Sequence, residues 1–364
     1  MKILYISPEN TVGTLGLYNR IHRAHGNISR YVTFYHSPKG FQEDICLNLP
    51  FNFTRPALKK IRHLIYKLYR GRQGYHTNRE GYPPIWKPEG RFDAAFIAWK
   101  EKRWDKRIRK AIRSYDLYDA DVVHFESGMD FYKDARFAKE LQKRGVKIIC
   151  HYHGEDLRSR GILEPLDALS DLNLTNEVDL LAKHPSIHYI FLPFDVDGFL
   201  KTYSPKQEYH AVPVVSHAPT NRYYKGSNVI IPICRKLERE GKIRFVLIEN
   251  MPYNKAMELK RESDIFIDQI GNKGGWGYGM NSVESLAMGI CTVTEMNPAY
   301  CEFVPDHPFV NANAETLYQA LLNIIQDNTL RAHKGQEGKI WVRKHHDITS
   351  VGDALYSYYK KIGL

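Results

Sequence analysis

Five glycines fall within nine residues (Gly271, Gly274, Gly275, Gly277 and Gly279), and one acid, Glu284, follows them. Glycines let the backbone approach a ligand closely. The apolar residues around the start of that stretch, Ile265, Phe266, Ile267 and Ile270, read as a buried strand. Asn281 or Ser282 can cap a helix that runs to about Met288 and stops at Gly289, and 290–293 reads as the next strand. A glycine loop that opens a helix presents unpaired N–H groups and about half a positive charge, which is chemistry for holding phosphate. Tyr278, Gly279, Met280, Asn281 and Ser282 surround that terminus. Glu284, on the first turn, is suited to accept hydrogen bonds from a sugar or ribose hydroxyl.

Two cations, Arg222 and Lys225, stand in a second strand-to-helix loop, 217–226. Neutralising a diphosphate calls for such a pair, the guanidinium as a planar fork and the ammonium as a point charge. His153 closes a strand in the run Cys150-His151-Tyr152-His153-Gly154-Glu155-Asp156-Leu157-Arg158. There Asp156 and Arg158 read as braces of the loop and Glu155 as solvated. Gly13 lies in the first strand-to-helix loop. Asp195-Val196-Asp197 has the D-x-D form of a metal site. No metal is expected, because Arg222, Lys225 and the helix terminus can take over the charge neutralisation a divalent ion performs.

The elements that must position these groups alternate. Strands at 2–7, 31–36, 121–125, 146–152 and 188–192 are interleaved with helices ending near 25 and covering 132–144. A second alternation starts at 211, with strands at 212–217 and 244–248 and helices at 228–240 and 254–261. Helices over 314–327, 330–343 and 350–361 follow. Alternating strands and helices imply parallel sheets, whose ligands bind beyond the carboxyl ends of the strands. The loops carrying Gly13 and His153 lie at such ends.

Gly277-Tyr278-Gly279 and then Val283-Glu284-Ser285-Leu286-Ala287-Met288-Gly289 resemble the nucleotide-sugar motif of the retaining glycosyltransferases of family 4 (glycosyl transferases group 1). That motif reads Glu, seven residues, Glu, with G-F-G between and A-M-A-x-G after. Glu284 matches the second acid, and Trp276 stands where the first belongs. The resemblance is strong over 217–293, moderate over 122–158 and weak over 40–115. It implies an α/β chain of GT-B fold, two Rossmann-like domains with parallel sheets facing a central cleft. Residues 1–205 would bind the acceptor, 206–345 the nucleotide sugar, and 346–364 would form a helix returning to the first domain.

The same resemblance implies roles. Glu284 would anchor the ribose of the donor. Arg222 and Lys225 would hold its pyrophosphate; Lys225-Gly226 matches the family's K-G, while Arg222 stands nearer to it than usual. His153, in an H-G-x-D-x-R pattern found in a bacterial subset, would approach the donor sugar or acceptor, and the Gly13 loop would approach the donor phosphates or acceptor. The segment 249–253 would seat the nucleobase against backbone groups, and Asp195-Val196-Asp197, which matches the family's N-G-V-D linker, would be a connector turn. The implied reaction moves a hexose from a nucleoside diphosphate sugar to a glycan, lipid-linked or protein acceptor, with retention of configuration and without a cofactor. His153, Arg222, Lys225 and Glu284 are its candidate catalytic residues. Charge on the departing diphosphate would be stabilised by the two cations and the helix terminus, usually the largest catalytic term. Two alternatives stand beside this reading. One is a GT-B nucleotide-sugar epimerase, which would need additional acid and base carboxylates. The other is a non-catalytic sugar-nucleotide binder, suggested by Trp276.

A chain of 364 residues fits two domains, and no apolar run approaches the ~20 residues of a membrane span. Met1-Lys2 leads directly into a strand, and the five scattered cysteines suit a reducing cytoplasm. The net charge of +11 is local: residues 51–113 hold 18 Lys and Arg against 5 Asp and Glu. Leu58, Ile61, Leu64, Ile65 and Leu68 share one helical face with basic residues around it, the pattern of a helix lying on anionic lipid. A second basic helix is expected over 99–113. The expected location is therefore cytoplasmic, peripheral at the inner membrane face through residues 56–113. A nucleic-acid-binding role is the least favoured reading, since no nucleic-acid motif accompanies the charge.

Overall fold

The computed structural model describes residues 1–37, 40–52, 79–205, 209–273 and 275–364. The amphipathic segment 56–70 lies outside them, as does Gly274. The chain divides into two compact units, Met1–Leu192 with Gly352–Leu364, and Pro193–Val351. The boundaries expected from the sequence are 205/206 and 345/346. No helix among the described residues is long and apolar enough to cross a membrane.

The first unit is built on seven parallel strands: β1 (Lys2–Ser7), β2 (Ile28–Thr33), β3 (Ile45–Cys46), β4 (Val122–Glu126), β5 (Lys147–Tyr152), β6 (Leu172–Thr175) and β7 (Ile187–Tyr189). Their order is β3-β2-β1-β4-β5-β6-β7, so the direction of winding reverses between β1 and β4. The central strands are apolar along most of their length because helices cover both faces of such a sheet. Ile6, Val32, Phe125, Ile148 and Cys150 form its core with Phe34, Trp104, Phe131 and Phe137. The residues 352–364 belong to this unit. Tyr356 meets His22 Nδ1 at 2.9 Å, Tyr359 meets His124 Nε2 at 2.6 Å, and Tyr358 donates to the Tyr189 carbonyl at 2.9 Å.

Several elements differ from expectation. Pairing fixes β2 three residues earlier, because Lys2 faces Ile28 and the ladder runs to Ser7 and Thr33. The short strands β3 and β6 were not expected. The helix expected from 132 covers only Arg136–Lys143. The reason is Asp130, buried, whose carboxylate accepts from the Tyr132 and Ala138 N–H groups and holds the intervening residues as a turn. Burial pushes that carboxyl up to about 7. The second basic helix is longer than expected, Arg91–Tyr115, and turns Trp104, Ile108 and Ala111 inward.

The second unit carries five parallel strands: β8 (Val214–His217), β9 (Arg244–Leu247), β10 (Ile265–Ile267), β11 (Cys291–Thr294) and β12 (Val310–Asn311). Their order is β12-β11-β10-β8-β9, and the winding reverses between β8 and β10. Val215, Ile265, Ile267 and Val293 pack against Ile230 and Leu237 on one helix and Leu317 and Leu321 on another. Asp195, from the D-x-D sequence, caps the helix Val196–Thr202 through its bond to the Gly198 N–H (3.1 Å), and Asp197 pairs with Arg343 (2.9 Å).

Candidate functional site

In an open parallel sheet the loops that leave the two strands flanking the reversal of winding part from each other and leave a crevice. In the second unit those loops are 218–226, after β8, and 268–279, after β10. They are the two segments that the sequence reading singled out.

The first loop is shaped locally by Asn221, whose side chain accepts from the Tyr223 and Tyr224 N–H groups at 2.9 and 3.3 Å. Gly226 then takes a left-handed conformation (φ 65°) and caps the helix Ser227–Arg239. A Cβ there would overlap the carbonyl oxygen of Ile270, so the position requires glycine. His217 closes β8 with both ring nitrogens engaged, one with the Ile267 carbonyl and one with the Ser227 hydroxyl, each at 2.8 Å. Burial lowers it to about 4, so it is a neutral strut.

The second loop opens the helix Met280–Ala287, and its cap is Gly279, in extended backbone. Asn281 and Ser282 therefore lie inside the first turn, not at the cap position expected for one of them. The reason is Asp268, which supplies the acceptor that a capping side chain would have provided. Its Oδ2 accepts from the Gly279 N–H (3.0 Å) and the Ser282 hydroxyl (2.7 Å), while Oδ1 accepts from Lys225 Nζ (2.5 Å). Lys225 also donates to Gln269 Oε1 at 3.1 Å. Burial alone would raise the Asp268 carboxyl; the Lys225 charge and the three hydrogen bonds outweigh it and hold it below the usual carboxylate range. Lys225, Gly279 and Ser282 thus converge on one buried carboxylate beside the reversal of winding.

Glu284 is 8 % exposed. Its Oε2 accepts from Lys260 Nζ at 2.5 Å and its Oε1 from the Tyr253 hydroxyl at 2.8 Å. Asn281 accepts from the same Lys260 (2.9 Å) and donates to the Ala218 carbonyl (3.0 Å), joining the two loops. Arg222 stands apart from this group. It is exposed and forms a two-pronged pair with Glu249 (2.8 and 2.5 Å), in the segment expected to seat a base. With Tyr223, Ser227 and Lys273 it lines a concavity of about 540 Å³ whose lining includes neither Lys225 nor Glu284.

Tyr278 is turned into the unit's interior. It packs on Tyr300, Phe309 and Trp341, and its hydroxyl meets His346 at 2.9 Å. The neighbouring Gly277 has φ 85° and no room for a Cβ against the Tyr300 ring. Its carbonyl accepts from Gln269 (2.8 Å) and Thr294 (3.0 Å). The glycine loop is therefore anchored from three sides, which fixes the direction of the helix terminus.

In the first unit, His153 follows β5. Its Nε2 meets Glu126 Oε2 at 3.0 Å, and its ring stacks on His151 with centres 4.8 Å apart. Glu126 ends β4, is buried, and lies 3.5 Å from His151 Nδ1 through its other oxygen. Burial opposes charge on His153, but the hydrogen bond and charge of Glu126 outweigh it and raise the imidazole to about 9. Against burial, the two histidines hold Glu126 well below the usual carboxylate range. Asp156 accepts from the His153 N–H (2.7 Å), and Arg158 forks onto Asp179 (2.7 and 2.6 Å) and Glu177 (2.8 Å), so both brace the loop. Glu155 is exposed. Gly13 caps the helix Thr14–Ala24 at φ 77°, with the Phe41 ring against it.

Asp268, Lys260 and Glu126 are not singled out by the sequence, and Tyr253 only as the last residue of the segment 249–253. Each of the first three carried a signal. Asp268 is an acid between the apolar residues Ile267 and Ile270, Lys260 lies three residues from the buried Met257 on one helix face, and Glu126 ends a strand whose other residues are Val122, Val123, His124 and Phe125.

No family model matches this sequence, and no curated protein matches it. Solved structures do. An alpha-glucosyltransferase in complex with UDP and a 13-mer DNA is 9% identical, with 99% of this chain and 100% of that one covered at a TM-score of 0.61. HepE of Anabaena in complex with UDP-glucose is 12% identical, covering 99% and 100%, at 0.54. A putative UDP-N-acetylglucosamine 2-epimerase from Listeria monocytogenes is 11% identical, covering 99% and 96%, at 0.52. The fold is GT-B. At these identities the likeness establishes the architecture alone.

Proposed function

We propose that the protein is a glycosyltransferase that moves a hexose from a nucleoside diphosphate sugar to a glycan, lipid-linked or protein acceptor, with retention of configuration and without a metal. The observation that carries the reading is the convergence of Lys225 and the Gly279 helix terminus on one point beside the reversal of winding in the second unit. A fixed cation and a helix N-terminus brought together favour a phosphate-bearing ligand. The UDP and UDP-glucose held by two similar solved structures support the same ligand class.

In this reading Lys225 and the helix terminus stabilise the leaving diphosphate, and Arg222 contributes once it exchanges Glu249 for phosphate. Glu284 holds the ribose. The diphosphate itself takes the acceptor proton, so no strong protein base is required. His153, in the first unit, contacts the acceptor or the donor sugar. Tyr278 acts by anchoring the loop. The protein works in the cytoplasm, with an anionic membrane as a partner of residues 56–113.

A thermal-shift panel of nucleoside diphosphates and their sugars, with and without EDTA, tests the reading, because a ligand that binds the native state raises its melting temperature. A shift for one nucleotide that EDTA leaves unchanged is the expected result. No shift with any nucleotide overturns the donor site. Likeness to a putative epimerase favours a second reading in which the same donor is bound and isomerised. Product analysis separates them: a transferase releases nucleoside diphosphate, whereas an epimerase returns an isomeric sugar nucleotide. The DNA in one similar structure makes DNA the control for vesicle binding. A steep loss of binding with salt that requires no apolar surface would favour nucleic acid over membrane.

A further inference from the structure

The side chain of Lys260 is fully buried in the second unit, with its amine 4.8 Å from the centre of the Phe266 ring. Its three donors find three acceptors: Glu284 Oε2 at 2.5 Å, Asn281 Oδ1 at 2.9 Å and the Asn281 carbonyl at 3.4 Å. Buried ion pairs are seldom the most stable way to fill such a space, since apolar residues of similar volume often do as well or better. The identity of the acceptors is informative. All three lie in the opening turns of the helix that begins at the glycine loop, and Asn281 is in turn bonded to the loop after β8. Glu284 is clasped from the other side by the hydroxyl of Tyr253, a residue that is 57 % exposed.

A carboxylate offers about four lone-pair positions, and among the described residues each oxygen here has one filled. One position on each oxygen remains for a ligand, and the orientation of the group is set before any ligand arrives. A side chain already held in its binding orientation loses less freedom on association than a loose one.

We propose that Lys260 and Tyr253 are positioning residues that fix the Glu284 carboxylate for recognition of the vicinal ribose hydroxyls. They thereby make the site selective for ribonucleotides over 2′-deoxyribonucleotides. This rests on the donor-site reading above. A site built to hydrogen-bond a hydroxyl discriminates against the analogue that lacks it, because its own polar groups are then left without partners.

The experiment is isothermal titration of the full chain with UDP, GDP and ADP and with their 2′-deoxy counterparts. The nucleotide that binds wild type is expected to bind at least about tenfold tighter than its deoxy form. Lys260→Met is expected to bring that ratio to within about twofold of one, and Tyr253→Phe to lower it by about threefold, because each frees one oxygen of the carboxylate. Affinity for the deoxynucleotide, which relies on Arg222 and Lys225, should change little. A merely structural Lys260 would weaken both nucleotides together and leave the ratio unchanged. A wild-type ratio near one, or a wild-type ratio retained in both folded variants, overturns the proposal. If Lys260→Met does not fold, Tyr253→Phe decides alone, since it removes only a hydroxyl from an exposed ring. Failure of wild type to bind any nucleoside diphosphate overturns the donor site itself, a result distinct from binding without discrimination.

Discussion

Both units place a buried carboxylate at the carboxyl end of a strand beside a reversal of winding, but they pair it differently. In the second unit Asp268 and Glu284 are paired with lysines, and Arg222 with Glu249. In the first unit Glu126 is paired with two histidines. Lysine and arginine keep their charge far above neutral pH, whereas an imidazole titrates near it. The second site therefore takes its cations from residue types other than histidine. In the first, His153 can lose its charge, and Glu126 postpones that loss by raising the imidazole to about 9. A fixed pattern suits neutralisation of a phosphate ligand, and a tunable one suits contact with a polar, uncharged partner. In the proposed donor site Arg222 and Lys225 would exchange Glu249 and Asp268 for phosphate, whereas Glu284 would keep Lys260 and Tyr253.

The contrast can be broken most forcefully at Asp268. Asp268→Ala strips Lys225 of its principal partner and leaves the helix terminus without its acceptor. Removing one member of a buried pair costs about 3–5 kcal/mol, and urea denaturation should show a loss of that size. A loss below about 1 kcal/mol would mean that the pair is solvated and the second site is not rigid.

The tunable side is tested by following the His153 ring through a pH titration by NMR in wild type and in Glu126→Gln. Wild type should titrate at about 9, and the variant well below that, because burial then acts without the Glu126 charge. The sign for stability follows: a histidine raised in the folded state contributes fully below about pH 6.5, and that contribution disappears as pH rises through about 9. A wild-type midpoint near 6.5 would erase the distinction between the two sites.

Smaller effects sharpen the picture of the second site. Glu284→Ala should weaken nucleotide binding by about tenfold, the loss of one or two hydrogen bonds to a charged group. Unchanged affinity and turnover would remove the donor site from this position. Tyr278→Phe deletes the bond to His346 and should cost about 1 kcal/mol in thermal or urea melts, with nucleotide affinity intact. Arg222→Ala, on an exposed side chain, should leave stability within about 0.5 kcal/mol and act on binding alone. A large stability loss there would show that its pair with Glu249 is part of the fold and not a placeholder.

What the sequence determined by itself was the set of local features whose causes are local. Apolar runs bounded by polar residues placed β1, β4, β5, β8, β9 and β10 within a residue or two at most boundaries. Glycines marked the loops, because left-handed positions such as Gly226 and tight approaches such as Gly277 admit nothing else. The alternation of strands and helices implied parallel sheets, and the two loops it marked are those beside the reversal of winding in the second unit. Strand order itself is a long-range property, and so are the partners of the charged groups. Lys225 and Asp268 are 43 residues apart, Lys260 and Glu284 24, and His153 and Glu126 27. No periodicity spans such distances. Which carboxylate meets which cation depends on strands laid side by side and helices packed over them, so only the tertiary structure decided that these sites are held by internal pairs, lysine-based in one unit and histidine-based in the other.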